Sequence, residues 1–133
     1  MKRLVFIFLI LLSCSLMALN NKISESTNDT TVYSTVDKNA NYPGGEKAML
    51  QFIHAKMNYQ KLNDNDVWGR IFVQFIVEKD GNLSNINITR SLDPFCDKEA
   101  MRIVKIMPKW KPGKLNNINV RTKIEIPIII KFE

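Results

Sequence analysis

Four lysines surround a tryptophan in the stretch RIVKIMPKWKPGKL, residues 102–115. The lysines are Lys105, Lys109, Lys111 and Lys114, and the tryptophan is Trp110. Basic residues interleaved with an aromatic ring suit a nucleic acid, because the cations meet phosphates and the ring stacks on a base. The same residues also suit the solvated end of a helix and the turn after it. The compartment and the flanking elements decide between the two interpretations.

The residues that most often carry catalysis or hold a metal are scattered along the chain. His54 is the single histidine and has no cysteine near it, while Asp64 and Asp66 are typical of a solvated turn. Catalysis needs acid, base or nucleophile groups that are positioned together, and no Ser/His/Asp, Cys/His or metal-ligand spacing occurs. The sequence therefore predicts no enzyme activity, no metal site and no cofactor.

Residues 1–19 have the layout of an export signal, in which Lys2 and Arg3 precede an apolar run. Export places the rest of the chain outside the cytoplasm, where DNA and RNA are largely absent, so we expect no nucleic-acid partner. The formal net charge of +6 is a modest excess that favours acidic partners only weakly. Cys96 lies in an apolar helical pattern, which is typical of a small buried residue.

Three fates of the N-terminal segment stay open. The sequence LLSC resembles a bacterial lipobox, in which Cys14 is lipidated. Residues 4–19 are alternatively an uncleaved membrane anchor, although they fall just short of the roughly 17–25 apolar residues that span a bilayer. Ordinary cleavage near Ala18 is the third alternative. Residues 20–31 are polar and indicate a flexible tether, and we expect the folded domain over residues 32–133.

Two amphipathic helices are predicted. Apolar residues recur on one helical face over residues 46–56. A second helix follows Asp93, which suits the N-cap, and Pro94, which suits the first helical turn. Pro108 ends this helix, so the lysines of the opening stretch flank a helix C-terminus, where cations are favoured. We expect Trp110 to pin the following turn onto the core.

The strands are predicted from alternation of apolar and polar residues. Residues 69–91 indicate a β-hairpin around Asp80 and Gly81, a strong turn signal. Residues 120–132 alternate over a longer stretch, with isoleucines on one face and charges on the other. Pro127 cannot donate to a β-ladder, which indicates an edge strand.

The predicted order is helix, strand, strand, helix, strand. A hairpin followed by a helical return places the last strand antiparallel to the first. We therefore predict an α+β two-layer sandwich, with a three-stranded antiparallel sheet of order 2-1-3 and two helices on one face.

Several segments resemble the C-terminal domain of TonB-type energy transducers. They are YPGGEKAMLQFI at 42–53, GRIFVQFIVEKDGNL at 69–83, LDPFCDKEAMRIVKIMPKWKPGK at 92–114 and the final strand. The combination of the DG hairpin, the D-x-x-A helix and MPKWKPG is specific. The resemblance covers residues 32–133, nearly everything after the leader.

The resemblance implies a periplasmic, membrane-associated domain of Gram-negative bacteria that binds TonB-dependent outer-membrane transporters. In the family, an extended receptor segment called the TonB box pairs with the edge of the sheet. A membrane anchor couples the transducer to a proton-driven ExbB/ExbD-type motor. An exposed last strand suits such β-augmentation. The expected contacts on it are Arg121, Lys123, Glu125, Ile126, Ile128 and Ile129.

Tyr59 is a further expected partner contact, because the segment before the first strand helps to receive the receptor in the family.

The resemblance and the predicted membrane attachment are compatible with two functions. In the first, the domain binds a transporter by strand addition, with or without energy transduction. In the second, it is a non-transducing, membrane-tethered lipoprotein with a structural or regulatory role through the same edge, including pairing into a homodimer.

Overall fold

The computed structural model describes residues 30–62 and 68–131. Three helices and five strands lie in these residues. The helices are α1 (Gly45–Lys56), α2 (Tyr59–Leu62) and α3 (Pro94–Lys105). The strands are β1 (Val32–Tyr33), β2 (Gly69–Val77), β3 (Leu83–Arg90), β4 (Gly113–Leu115) and β5 (Ile118–Ile130).

The two long helices start where the sequence predicts, for different local reasons. Asp93 caps α3, because its carboxylate accepts hydrogen bonds from the backbone N–H groups of Phe95 and Cys96 at 2.8 and 2.9 Å. α1 has no such side-chain cap, and Gly44 precedes it with a φ of 87°. Glu46 in the first turn of α1 suits the helix dipole.

The sheet is built around β2, which pairs antiparallel with β3 on one side and with β5 on the other. The strand order is β1-β5-β2-β3, and β4 also pairs with β5. β1 runs parallel to β5, so the five-stranded sheet is mixed.

The α+β class is confirmed, but the predicted three-stranded antiparallel sheet of order 2-1-3 is wrong. The difference comes from β1 and β4, which add two strands on β5, and β1 makes the sheet mixed because it runs parallel to β5. Strands of two and three residues give a weaker signal than the longer alternations from which β2, β3 and β5 are predicted.

Both layers bury their apolar faces in one core. α3 packs on β2 and β3, and α1 contributes Met49 and Ile53 to the same cluster. Burying a large apolar side chain contributes roughly 1.5–3 kcal/mol, so this cluster is the main support of the fold. The largest fully buried side chains include Phe75, Leu62, Ile71, Ile103, Ile128 and Ile130.

The leader predicted over residues 1–19, the candidate lipidation site Cys14 and most of the tether lie outside the described residues. Asp64 and Asp66 lie outside them as well. Within residues 30–62 and 68–131, none of the helices has the length and apolar character needed to cross a membrane.

Candidate functional site

One side of β5 is only partly paired. On one side, β2 pairs with β5 from Thr122 to Ile130. On the opposite side, β4 covers residues 118–120 and β1 covers residues 121–122. From Lys123 to Ile130 no residue in the described part of the chain pairs with that side of β5. We call residues 123–130 of β5 the free edge.

Five of the residues expected to contact a partner lie on the free edge. Lys123, Glu125 and Ile129 are exposed on the outer face of the sheet, and Ile129 leaves 48% of its surface accessible. Ile126 and Ile128 alternate with them and are buried in the core. These two side chains therefore support the strand, while the three exposed ones face solvent, with the Glu125 carboxylate accepting from the Thr89 hydroxyl at 3.1 Å.

Arg121, the sixth expected contact, is engaged within the fold. Its backbone lies opposite Val32 of β1. Its guanidinium donates from Nε and Nη2 to the two carboxylate oxygens of Glu78, at 2.7 and 3.0 Å, and from Nη1 to the carbonyl of Thr30 at 2.5 Å. The hydrogen bond from Arg121 is the main reason that the pKa of Glu78 lies below its usual value. Arg121 therefore marks the closed end of the edge.

The turn between β4 and β5 indicates which backbone groups face outward. Asn116 and Asn117 have φ values of 51° and 62°, as in the two-residue primed turns of hairpins, which place the flanking residues in a hydrogen-bonded pair. Ile118 therefore directs its N–H and C=O towards β4. Because these groups alternate sides along a strand, Ile124, Ile126, Ile128 and Ile130 present theirs to the free edge. In the described part of the chain, no strand pairs with these N–H and C=O groups.

Pro127 lies on the same strand, opposite Phe72 of β2. By the alternation, its missing N–H falls on the β2 side. The Thr89 hydroxyl lies 3.3 Å from the Phe72 carbonyl and 3.1 Å from a carboxylate oxygen of Glu125, so its single proton is shared between these two acceptors. Pro127 thus does not remove a hydrogen-bond donor from the free edge. On the neighbouring strands, the Arg90 guanidinium lies 5.8 Å from the centre of the Phe72 ring.

Tyr59 lies apart from these residues. It starts α2, its hydroxyl is 2.7 Å from Nδ1 of His54, and their ring centres are 5.4 Å apart. A cavity at Tyr59 is also lined by Arg102 of α3, a helix that packs on β2 and β3. Tyr59 thus lies beside His54 of α1 and Arg102 of α3 and is not one of the residues of the free edge.

Trp110 is buried, which confirms that it pins the turn after α3 to the core. Its ring meets those of Tyr42 and Phe75 edge-on, at centre distances of 5.8 and 5.2 Å.

In residues 30–62 and 68–131 no three His, Cys, Asp or Glu side chains are grouped so that they could hold a metal ion.

The predicted sheet did not include β1, and Glu78 was not among the predicted site residues, although both determine where the free edge begins. TVYSTV at residues 31–36 does show a brief strand-like alternation that indicates docking on the domain, and the Asn-Asn pair before β5 was the signal for the β4–β5 hairpin. The pairing of Glu78 with Arg121 joins residues 43 positions apart, and no local pattern predicts such a contact.

A comparison with protein-family models agrees with the sequence resemblance. A family model described as "Gram-negative bacterial TonB protein C-terminal" matches residues 60–132, more than half of the chain. The NMR solution structure of the Helicobacter pylori TonB C-terminal domain is similar with a TM-score of 0.37 and 18% sequence identity. That match covers 68% of this chain and 89% of the other. No curated protein matches the sequence.

Proposed function

The chain belongs to the TonB protein C-terminal family, and from this premise we propose that it binds TonB-dependent outer-membrane transporters by β-strand addition. In this proposal an extended segment of the transporter, the TonB box, pairs with the free edge of β5. The domain is then a binding module and not an enzyme.

The observation that carries the proposal is the unpaired side of β5 from Lys123 to Ile130. A free strand edge offers backbone donors and acceptors to an extended peptide. Lys123, Glu125 and Ile129 add exposed side chains beside it, and we propose them as the side-chain contacts. Ile126 and Ile128 contribute through their backbone groups.

Binding of this kind is weak and reversible. Each hydrogen bond contributes about 0.5–1.5 kcal/mol net, whereas association costs about 4–15 kcal/mol. Backbone pairing alone therefore yields little affinity, and contacts with exposed side chains such as Ile129 supply the remainder.

β1 limits where the partner strand lies. It occupies β5 at Arg121 and Thr122, and the chain then bends away at Ser34 and Thr35. A partner that leaves β1 in place pairs only from Lys123 onward. The proposed footprint is therefore residues 123–130.

The test uses synthetic peptides that carry the TonB box segments of the transporters encoded by the same bacterium. Ile124→Pro removes an N–H that faces the free edge, and proline is tolerated where this side of a strand meets solvent. We expect calorimetric titration to show at least tenfold weaker peptide binding for this variant, since several edge contacts shift when one bond is lost.

Ile124→Ala is the matched control, because it loses the same side chain but keeps the N–H. It should bind the peptide within about threefold of wild type, a difference of less than 1 kcal/mol. Equal binding by the two variants, with both folded, would show that the edge is not the binding site. No binding of any such peptide to the wild-type chain would refute the proposed function itself.

The membrane attachment and the compartment of the domain are part of the same proposal. Residues 1–19 attach the domain to a membrane, by lipid on Cys14 or as an anchor, and residues 20–31 form the tether. The domain then lies in the periplasm, and an ExbB/ExbD-type motor supplies energy when the attachment is an inner-membrane anchor. Mass spectrometry of the protein from its native membrane distinguishes the two attachments, because lipidation removes the residues before Cys14.

A further inference from the structure

Five lysines lie at the end of the sheet where β5 begins. Lys38 and Lys114 face each other as backbone partners, and Asn119 donates from its side chain to the carbonyl of Lys79 at 3.3 Å. Asn119 is in turn the register partner of Lys114, so these residues form a continuous strip. We call the whole set the basic end: Lys38, Lys79, Lys109, Lys111 and Lys114.

The remaining two lysines join the strip through backbone contacts. Lys111 exchanges backbone hydrogen bonds with Asn41 at 2.8 and 2.9 Å. Lys109 lies next to Gly81, which is two residues from Lys79. A Cβ atom placed on Gly81 would be 3.4 Å from the Cβ of Lys109. All members except the half-buried Lys114 are exposed.

The basic end carries more positive than negative charge. Among the residues that the structure describes, none of the five lysines forms an ion pair. Like charges directly opposite each other, as at Lys38 and Lys114, destabilise a strand pair. The neighbouring acids Asp37 and Asp80 offset part of this charge, and their carboxylates accept hydrogen bonds from the backbone N–H groups of Asn116 and Asn82, so an excess of positive charge remains.

The same end receives the chain from its N-terminal segment. The described chain begins at Thr30, whose carbonyl is held by Arg121 near the start of β5. Arg121 also pairs with Glu78, the neighbour of Lys79. The tether proposed above would span about 18 Å on average between residues 19 and 30, so a membrane attachment at residues 1–19 would keep the basic end close to the lipid surface.

We propose that the basic end docks on a membrane surface that carries anionic phospholipids. This inference rests on the membrane attachment in the proposed function. Each lysine near an anionic surface strengthens binding by about fivefold. Because β5 leads away from the basic end at about 3.3 Å per residue, docking leaves the free edge exposed to a partner.

The test uses the full chain reconstituted in vesicles of phosphatidylcholine alone or of phosphatidylcholine mixed with phosphatidylglycerol. The acetylation rate of each lysine is measured by peptide mass spectrometry. We expect the anionic vesicles to slow acetylation at the basic end and not at Lys47 of α1 or Lys98 of α3. The slowing should disappear at about 1 M salt, where the Debye length is about 3 Å.

A triple variant separates local docking from net charge. Lys38→Gln, Lys111→Gln and Lys114→Gln together should weaken docking on the order of a hundredfold, which is read from the acetylation of Lys79 and Lys109. The matched control removes three lysines elsewhere. It combines Lys47→Gln, Lys98→Gln and Lys105→Gln, and it should leave docking unchanged.

Equal acetylation on the two kinds of vesicle, or equal loss of docking in both triple variants, would overturn the inference. A titration with TonB box peptide on the same vesicles keeps the two proposals distinguishable. Peptide binding without docking would overturn only the inference on the membrane surface. Docking without peptide binding would overturn only the strand-addition function.

Discussion

The backbone N–H of Trp110 donates to the carbonyl of Gly81 at 2.9 Å. This bond joins the turn of the β2–β3 hairpin to the segment that follows α3. Gly81 has a φ of 89° and is buried, so the turn and the tryptophan loop are packed directly against each other. The two strongest sequence motifs of the chain, DG and MPKWKPG, thus form one structural unit.

Replacing Gly81 with alanine should break this unit. The added Cβ would lie 2.2 Å from the carbonyl oxygen of Trp110, and a side chain at positive φ adds backbone strain. We expect a loss of about 3 kcal/mol or more in the free energy of unfolding, measured by urea denaturation.

Gly45→Ala provides the control for Gly81→Ala. Gly45 has a similar φ of 85°, but no atom lies within 4 Å of a Cβ placed there. Its substitution should cost only the backbone strain, about 1 kcal/mol. Similar losses at both positions would show that contact with Trp110 does not matter.

The regular elements of this fold could be predicted because their local signals agree with the tertiary structure. The helix predicted over residues 46–56 is α1 (Gly45–Lys56), and the one predicted after Asp93 is α3. Amphipathic periodicity and a capping carboxylate fix these elements locally. β1 and β4 are absent from the predicted sheet because they are short and are held by pairing with β5.

The candidate site was predicted in part for the same reason. Alternation along β5 distinguishes exposed Lys123 from buried Ile126 without tertiary information. It does not reveal that β1 covers Arg121 or that Glu78 holds its side chain. Pro127 indicates an edge strand, and in the described residues one side of β5 is indeed unpaired from residue 123 to residue 130, but the missing N–H falls on the other side, opposite Phe72.

Asp93 should stabilise the domain through its cap on α3. Asp93→Ala leaves the N–H groups of Phe95 and Cys96 without the carboxylate that accepts their hydrogen bonds. We expect a loss of about 1 kcal/mol, which lowers the midpoint of thermal unfolding by about 4–8 °C for a domain of this size. Asparagine also caps helices well, so Asp93→Asn should remain close to wild type. An equal drop in both variants would argue against the capping role.

Cys96 should be nearly inert in the folded protein. Burial raises the pKa of its thiol to about 11, and the neighbouring Asp93 and Asp97 contribute to the increase. Because the thiolate is the reactive form, alkylation near pH 8 should be on the order of a hundredfold slower than for an ordinary thiol and rise with pH towards 11. Peptide mass spectrometry after timed alkylation separates Cys96 from Cys14. Fast labelling of folded Cys96 at neutral pH would contradict this prediction.

The ion pair between Glu78 and Arg121 should make stability depend on pH in the acid range. The hydrogen bond from Arg121 lowers the pKa of Glu78 below the ordinary value of 4.5. A lowered carboxyl pKa contributes stability that is present above about pH 4.5 and lost as the pH falls through the folded-state value. Glu78→Gln should therefore be less stable than wild type near pH 7, and the difference should shrink below about pH 4.

A double-mutant cycle tests whether Arg121 is responsible. In an Arg121→Gln background, Glu78→Gln should produce little change in unfolding free energy at either pH, because the partner that lowers the pKa is gone. Urea denaturation of the four proteins at about pH 7 and about pH 3.5 measures this. The same effect of Glu78→Gln in both backgrounds would assign it to Ser84, which donates to Glu78 at 2.5 Å, and not to Arg121.

Because Arg121 also holds the carbonyl of Thr30, loss of the pair should loosen β1. Amide exchange at Val32 and Tyr33 should then be faster in Arg121→Gln, which would extend the free edge towards β4.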